Sequence, residues 1–176
     1  MKFIPTAIPG AYVIELERIG DDRGFFARAW CTEEFEREGL NPSLRQCNVS
    51  FNERRGTLRG MHYQAAPGAE AKIIRCTMGA IYDVILDLRE TSAAFGQWFA
   101  EELSCVNRRM LYAPEGVAHG FLTLHDGSEV FYQMTQAYDP TLVRGVRWDD
   151  PAFGIVWPIP ISVLSTRDAS FPNFRK

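Results

Sequence analysis

The sequence predicts an all-β fold, a mostly antiparallel β-sandwich or barrel with one or few short helices, and three observations support this expectation. Short runs of alternating, β-branched and aromatic residues recur along the 176-residue chain, with Gly, Pro, Asn and Asp between them. Only one segment carries clear helix signals, whereas a βαβ fold needs many helices. The sequence contains no GxGxxG, no GxSxG and no glycine-rich phosphate loop. We therefore expect a single domain over residues 1–176 that binds its ligand in the mouth of a barrel.

The individual elements follow from local residue patterns. Strands are predicted at residues 11–17, 25–30, 57–64, 72–77, 81–88, 110–113, 119–124 and 130–138. The helix is predicted after the second of these strands, with Thr32 as its N-cap and Gly39 at its end. Glu33 and Glu34 fall in the first turn, where negative charge complements the helix dipole.

Composition and charge exclude several classes of protein. With 46% hydrophobic and 23% charged residues the chain can bury a core, which argues against disorder and coiled coil. A net charge of −3 gives no overall attraction to nucleic acid or to an anionic membrane, so neither is expected as a partner. Pro5 and Pro9 argue against a signal peptide, and Asp83 and Asp87 interrupt an apolar stretch that could otherwise span a membrane. The four cysteines lack CxxC spacing, which indicates reduced thiols and a cytoplasmic protein.

One interior lysine stands out among the basic residues. Of the 19 Lys and Arg residues only Lys2, Lys72 and Lys176 are lysine, and two of these lie at the ends of the chain. Codon usage accounts for the arginine bias itself. Lys72 then marks a position where a compact ammonium is needed in place of a planar guanidinium, unless it is a solvated strand lysine.

Three histidines are candidates for chemistry: His62, His119 and His125. The residues Asp126 and Gly127 follow His125 and form a turn signal that predicts an exposed side chain. His62 and His119 lie in or beside apolar strands, where both a buried structural histidine and a functional one remain open.

The region from His62 to Gly79, followed by Pro114, Gly116 and His119, resembles the two metal-binding motifs of cupins. The pattern is broken because Gln64 replaces the second histidine, which leaves only His62, Glu70 and His119 as ligands. Two imidazoles and one carboxylate can bind iron. A second resemblance, described next, accounts for the missing histidine without a metal, so we expect no bound metal ion.

Ten ordered segments covering nearly the whole chain resemble the dTDP-4-dehydrorhamnose 3,5-epimerase family of metal-free cupins. They are DDRGFF at 21–26, QCNVS at 46–50, GTLRGMHYQ at 56–64, EAKIIRC at 70–76, AIYDVILDLR at 80–89, FGQW at 95–98, APEGVAHGF at 113–121, EVFYQMTQAYDP at 129–140, WDDPAFGIVWP at 148–158 and LSTRD at 164–168. The resemblance implies a cupin-type jelly roll, a nucleoside-diphosphate sugar substrate, no cofactor and a homodimer.

The resemblance also implies a reaction and its residues. Protons leave C3 and C5 of a 4-keto-6-deoxyhexose and return on the opposite faces, which requires a base, a donor and a partner for the enolate oxygen. His62 corresponds to the base, and Asp168 to the carboxylate that orients it. Lys72 corresponds to the partner of the C4 oxygen, and Tyr132 to the proton donor, with Tyr138 as a second candidate.

The substrate-binding residues that the resemblance implies are Arg23, Phe26, Gln46, Asn48, Arg59, His119 and Tyr138. Strict strand alternation puts Arg59 and His62 on opposite faces, so a shared pocket requires a bulge or bend at Gly60. Arg28 stands where many family members have Glu. This departure leaves the nucleotide and the sugar open.

Three alternatives remain beside the 3,5-epimerase. A single-site epimerase, acting at C3 or C5 alone, is distinguished by product stereochemistry. A 3,4-ketoisomerase is disfavoured by the LSTRD and EVFYQ segments. A non-catalytic sugar-nucleotide binding module has no need for a base, a donor and an oxyanion partner together.

Overall fold

Two antiparallel β-sheets form the body of the protein in a computed structural model, which describes residues 1–174. The strands are β1 (Lys2–Pro5), β2 (Tyr12–Glu15), β3 (Ile19–Asp21), β4 (Gly24–Phe26), β5 (Gln46–Asn52), β6 (Thr57–Gln64), β7 (Lys72–Met78), β8 (Ala80–Asp87), β9 (Trp98–Ser104), β10 (Met110–Ala113), β11 (Val117–Thr123), β12 (Ser128–Met134), β13 (Val143–Gly145) and β14 (Val163–Leu164). The helices are α1 (Thr32–Arg37) and α2 (Thr166–Ala169). The predicted all-β sandwich with few short helices is confirmed.

The strand order places the two sheets face to face. The first sheet runs β1-β2-β10-β7-β12-β5, and the second runs β13-β6-β11-β8-β9. The short strand β14 lies parallel to β6, through Val163 opposite Thr57 and Leu164 opposite Leu58. Strands β3 and β4 form a separate two-stranded hairpin.

The main core lies between the sheets. Ile74 and Val130 from the first sheet pack with Ile81, Ile85 and Phe121 from the second, and all are buried. Each such side chain contributes roughly 1.5–3 kcal/mol through the loss of apolar surface from water. The core therefore holds the two sheets together.

Strands β8 and β11 are buried on both faces, which explains their long apolar runs. All of β11 is buried, and in β8 every position but Tyr82 is buried. Their outer side is covered by a second cluster in which Val84 and Ala118 pack with Val146 and Phe153. The segment that follows β13 thus shields the second sheet.

Strand β5 has its apolar side chains on the outside. Val49 and Phe51 are 59% and 52% exposed, whereas Asn48 and Ser50 face inward. The prediction missed this strand, along with β1, β3, β9, β13 and β14. Polar residues on the inner face are unusual for a packed sheet, and they indicate an internal cavity suited to a polar ligand.

The start of helix α1 differs from the expectation. Cys31 is the N-cap and Thr32 is the first helical residue, because the Phe35 N–H donates to the Cys31 carbonyl. The assignment of Thr32 as N-cap was therefore wrong by one residue. Gly39 follows the helix at φ +70°, as the expected end signal requires. Within residues 1–174 no helix has the length and apolar character to cross a membrane, and the four cysteines form no disulfide.

Asp87 at the end of β8 anchors the following loop, and its replacement by Asn is expected to destabilise the protein. The buried carboxylate accepts hydrogen bonds from the Arg89 Nη2 and the Ser92 hydroxyl, both at 2.6 Å. Burial raises the pKa of Asp87, but Arg89 and Ser92 outweigh it and leave that pKa below its ordinary value. Asp87→Asn should cost about 2–3 kcal/mol of unfolding free energy at neutral pH, measured by urea denaturation.

The stability loss expected for Asp87→Asn depends on pH. Because the folded-state pKa of Asp87 is lowered, its stabilisation is present above the unfolded pKa and is lost as the pH falls through the folded one. The difference between wild type and Asp87→Asn should therefore shrink in acid. Asp149→Asn, which breaks the exposed pair with Arg147, serves as the control and should change little. An equal loss for both variants would contradict the prediction.

Candidate active site

A cavity of about 470 Å³ lies between the two sheets. Its walls come from strands of both sheets and from α2. The charged and titratable side chains that line it include Arg59, His62, Lys72, His119, Tyr132 and Asp168. The expected ligand pocket is therefore present, and it gathers polar groups from distant parts of the chain.

His62 on β6 is paired with Asp168 on α2. The His62 Nε2 lies 2.6 Å from Asp168 Oδ1, the carboxylate is buried, and the imidazole is partly open to the cavity. Ser165 caps α2 by accepting from the Asp168 N–H at 3.1 Å, which fixes where the carboxylate points. Burial raises the pKa of Asp168, but His62, the Gly60 N–H and Ser165 together lower it below its ordinary value. Asp168 thus stays anionic and can stabilise a protonated His62.

A register shift brings Arg59 and His62 into the same cavity. His119 lies opposite His62 and Phe121 opposite Arg59, so three steps along β6 match two along β11. Gly60 has φ +137°, and a Cβ there would lie 2.5 Å from the Gly120 Cα. Only glycine fits this crossing, and the expected irregularity at Gly60 is confirmed.

His119 belongs to a second histidine–carboxylate pair. Its Nε2 lies 2.7 Å from Asp83 Oδ1 on the adjacent strand β8. Burial raises the pKa of the Asp83 carboxyl, and His119 opposes that rise. Since His119 faces His62 across the β6–β11 pair, the cavity wall carries two imidazoles, each held by its own carboxylate.

Lys72 enters the cavity from the first sheet. Its Nζ lies 2.5 Å from Glu70 Oε1, and both residues are 7% exposed. This burial excludes the solvated strand lysine that the sequence left open. A carboxylate offsets the charge of the buried ammonium, as such burial requires.

Two of the tyrosines that line the cavity lie at different depths. Tyr132 on β12 lies between Ile74 on β7 and Asn48 on β5, and its side chain is partly buried. Tyr138 follows β12 and is 52% exposed at the cavity rim. Its backbone N–H donates to Gln46 Oε1 at 2.7 Å, so Gln46 holds the rim. Tyr132 is thus the deeper of the two phenols.

Comparison with known proteins identifies the family. A sequence model described as dTDP-4-dehydrorhamnose 3,5-epimerase matches residues 5–176. The enzyme of that name from Salmonella typhimurium is 40% identical over 174 residues, which covers 98% of this chain and 94% of the relative. The chain belongs to the dTDP-4-dehydrorhamnose 3,5-epimerase family. It is accordingly a nucleotide-sugar epimerase.

Two solved structures place the fold within this epimerase family. The Bacillus anthracis dTDP-4-dehydrorhamnose 3,5-epimerase with TDP and PPi bound superposes with a TM-score of 0.94 at 40% identity, over 98% of this chain and 99% of that chain. ChmJ, a 3'-monoepimerase from Streptomyces bikiniensis in complex with dTDP-quinovose, gives 0.89 at 33% identity, over 96% and 86%. The expected cupin-type fold is therefore confirmed.

The cavity of this epimerase-family chain contains most of the site residues that the sequence predicted. They are Asn48, Arg59, His62, Lys72, His119, Tyr132, Tyr138 and Asp168. Arg23 and Phe26 lie elsewhere, on the β3–β4 hairpin. Phe26 is 72% exposed, and the Arg23 side chain is 89% exposed and pairs with Asp21. The catalytic and substrate-binding roles of these residues, in the cavity and outside it, stay predictions.

Arg28, which departs from the pattern that the family resemblance implies, also lies outside the cavity. Its Nη1 is 2.9 Å from Glu34 Oε1, and Glu34 in turn binds the N-terminal ammonium. Both interactions belong to the same chain. The reversed charge is therefore compensated locally on α1.

Two residues of the site were not recognised from the sequence. Asp83 was treated only as an interruption of an apolar run, and Glu70 only as a metal ligand. A carboxylate inside the continuous apolar strand AIYDVILD was the available signal, because such a residue is buried and needs a partner. The pairing of Glu70 with Lys72 had no comparable sequence signal.

The side chains that remained as metal ligands do not fit a metal. Each of the three is already paired: His62 with Asp168, Glu70 with Lys72, and His119 with Asp83. In residues 1–174 no group of three or more His, Cys, Asp or Glu side chains is arranged to hold an ion. The Gln64 amide binds backbone groups of Gly68, Ala137 and Asp139 and so supports the cavity rim.

Proposed function

We propose that this epimerase inverts both C3 and C5 of a dTDP-linked 4-keto-6-deoxyhexose, converting dTDP-4-dehydro-6-deoxyglucose to dTDP-4-dehydrorhamnose as a single domain over residues 1–176. One observation carries the proposal: the base and the donor face each other across the cavity from different sheets. His62 lies on the second sheet, whereas Lys72 and Tyr132 lie on the first. Inversion needs this arrangement, because a base that returns its own proton restores the starting configuration.

The reaction runs through an enolate at each carbon. His62 removes the proton next to the C4 carbonyl, and Asp168 stabilises the imidazolium that forms. The negative charge moves to the C4 oxygen, to which the Lys72 ammonium donates a hydrogen bond. Tyr132 then delivers a proton to the opposite face of the same carbon, and before the second carbon reacts His62 releases its proton to solvent and Tyr132 regains one from solvent. Both enolates share one oxygen, so one lysine serves both steps.

The nucleotide lies toward the cavity mouth. Arg59 donates through Nε to Asn52 Oδ1 at 2.8 Å, which leaves its terminal nitrogens for the diphosphate. Asn48, His119 and the exposed Tyr138 ring complete the contacts that we assign to the substrate. The TDP named in the Bacillus anthracis structure supports a thymidine nucleotide.

The working form is a homodimer in this proposal. Val49, Phe51 and Met78 expose apolar side chains on the outer face of the first sheet, where water contact is unfavourable. Arg23 and Phe26 can contact substrate only if the hairpin reaches a second copy's cavity. Sedimentation velocity of the wild type tests this assembly, and a purely monomeric protein at micromolar concentration would contradict it.

Epimerisation at C3 alone is the second candidate, and the Streptomyces bikiniensis relative, a 3'-monoepimerase, favours it. The ketoisomerase and the binding module have no comparable support. The deciding experiment incubates the wild type with dTDP-4-keto-6-deoxyglucose in D2O containing EDTA and follows C3 and C5 by NMR. We expect deuterium and inversion at both carbons. Inversion at one carbon would establish a single-site enzyme, and exchange at neither would overturn the catalytic assignment.

Tyr132→Phe is expected to separate exchange from inversion. His62 still removes and returns protons on its own side, so deuterium enters at one or both carbons. Without the phenol the opposite face receives no proton, and the inverted product is lost, most clearly at C5. Product stereochemistry by NMR is the measurement, with Tyr138→Phe as the matched variant. Doubly inverted sugar formed at the wild-type rate by Tyr132→Phe would transfer the donor role to Tyr138 or water.

A further inference from the structure

The Glu70–Lys72 pair is a buried ion pair in the cavity wall that the mechanism above does not use as a pair. Glu70 precedes β7 and Lys72 begins it, so both side chains come from one short segment. Their charged atoms are 2.5 Å apart, and their side chains are 6% and 9% exposed. Because the two charges are close together and shielded from water, their electrostatic attraction is strong.

Among residues 1–174, the Glu70 side chain has no other polar contact that would explain its burial. Within residues 1–174 its second oxygen, Oε2, is buried and makes no hydrogen bond. A buried carboxylate with half of its acceptors unused is costly. The interaction that offsets the cost of burying Glu70 is therefore its ion pair with Lys72.

Lys72 depends on Glu70 in the same way. Burial disfavours the charged form of an amine, and a neighbouring carboxylate restores it. The charged and titratable groups that line the rest of the cavity are Arg59, His62 and Tyr63 on β6, His119 on β11, Tyr132 on β12, Tyr138 after β12, and Arg167 and Asp168 on α2. Asp168 is already paired with His62, and both arginines are cationic. Among the side chains of residues 1–174, Glu70 is the one carboxylate within ion-pair distance of Lys72.

We propose that Glu70 is a positioning residue that keeps Lys72 protonated and fixed at the cavity wall, so that an ammonium is ready when the enolate oxygen develops. The catalytic part of this inference rests on the proposed function, whereas the protonation of Lys72 does not. Glu70 touches no reacting atom and acts only through Lys72. A neutral amine there would be a much weaker partner for the enolate oxygen.

The composition of the chain makes a direct test practical. Only three lysines occur, so NMR of the chain labelled at lysine side chains gives few signals, and Lys72→Arg assigns the one that it removes. We compare wild type with the isosteric Glu70→Gln variant and titrate the Lys72 signal without substrate. The expected result is a titration midpoint at least about one pH unit lower in Glu70→Gln.

The activity of the same variant provides the second readout. Deuterium incorporation by Glu70→Gln should fall off at alkaline pH while the wild type remains active, and should recover as the pH is lowered. Glu101→Gln is the control, because it also removes a paired glutamate, 2.6 Å from Arg109, but outside the cavity. It should match the wild type in both measurements.

Two results would overturn the proposal. One is an unchanged Lys72 midpoint in Glu70→Gln, and the other is an equal loss of activity at every pH. Because the titration needs no substrate, its failure is separate from a failure of the proposed reaction, which the wild-type exchange experiment reports. Circular dichroism and the melting temperature confirm that Glu70→Gln is folded.

Discussion

Replacing His62 with alanine is expected to reduce kcat by about 10²- to 10⁴-fold, the range that general acid–base catalysis supplies. The imidazole is the group in the cavity that combines partial exposure with a buried anionic partner, Asp168 at 2.6 Å. Its interactions strengthen when it takes a proton, so the loss should fall on the transition state. Substrate affinity, measured by calorimetry, should stay within a few fold.

Asp168→Asn provides the matching test of the pair. The amide keeps the shape of the carboxylate but no longer stabilises an imidazolium, so this variant should resemble a weakened His62→Ala. The double variant should lose far less than the sum of the two effects, because the residues act as a unit. Additive losses, or a rise in KM with unchanged kcat in His62→Ala, would demote His62 to a binding role. His125→Ala is the control, since that histidine is exposed and outside the cavity.

Lys72→Ala is expected to slow exchange at C3 and C5 together, by about 10²- to 10³-fold, as the loss of one oxyanion donor does elsewhere. The joint effect follows from the single C4 oxygen that both enolates share. Lys72→Arg should rescue only partly, because a planar guanidinium does not fit the space of a nearly buried ammonium. Deuterium incorporation at each carbon, followed by NMR, is the measurement.

A neutral replacement of the whole pair controls for stability. Lys72→Ala leaves Glu70 buried without its partner, which can destabilise the fold, whereas Lys72→Met combined with Glu70→Gln removes both charges. Both variants should lose exchange if the ammonium is what matters. Lys2→Ala, which removes an exposed lysine 3.9 Å from Glu15, should change nothing. Loss at only one carbon in Lys72→Ala would contradict a shared enolate partner.

The sequence predicted the strands best where local pattern and burial agree. Residues 57–64 and 110–113 coincide with β6 and β10, and 81–88 is displaced by one residue from β8. Strand β5 was not predicted, because its apolar positions face outward and its polar positions face the cavity. Local alternation shows that a strand has two faces, but only the tertiary structure decides which one is inside.

The candidate site was predicted through the family resemblance more than through the residues themselves. His62 and Asp168 are 106 positions apart, and no periodic pattern connects them. The irregularity at Gly60 was the exception, since strand alternation alone required it for Arg59 and His62 to meet. Ion pairs such as Asp83 with His119 depend on strand register, which the sequence left undetermined.

The attachment of Asp168 has a consequence for local opening. Its helix, α2, follows β14, which joins β6 through only two residues, whereas the sheets that carry His62 and Lys72 are extensively paired. Segments with few pairings open at lower free energy than the core around them. Hydrogen exchange should therefore release the amides of residues 163–169 well before those of β6 or β11. Mild heating or denaturant would then separate Asp168 from His62 while the β-sandwich stays folded. Loss of activity should therefore precede global unfolding.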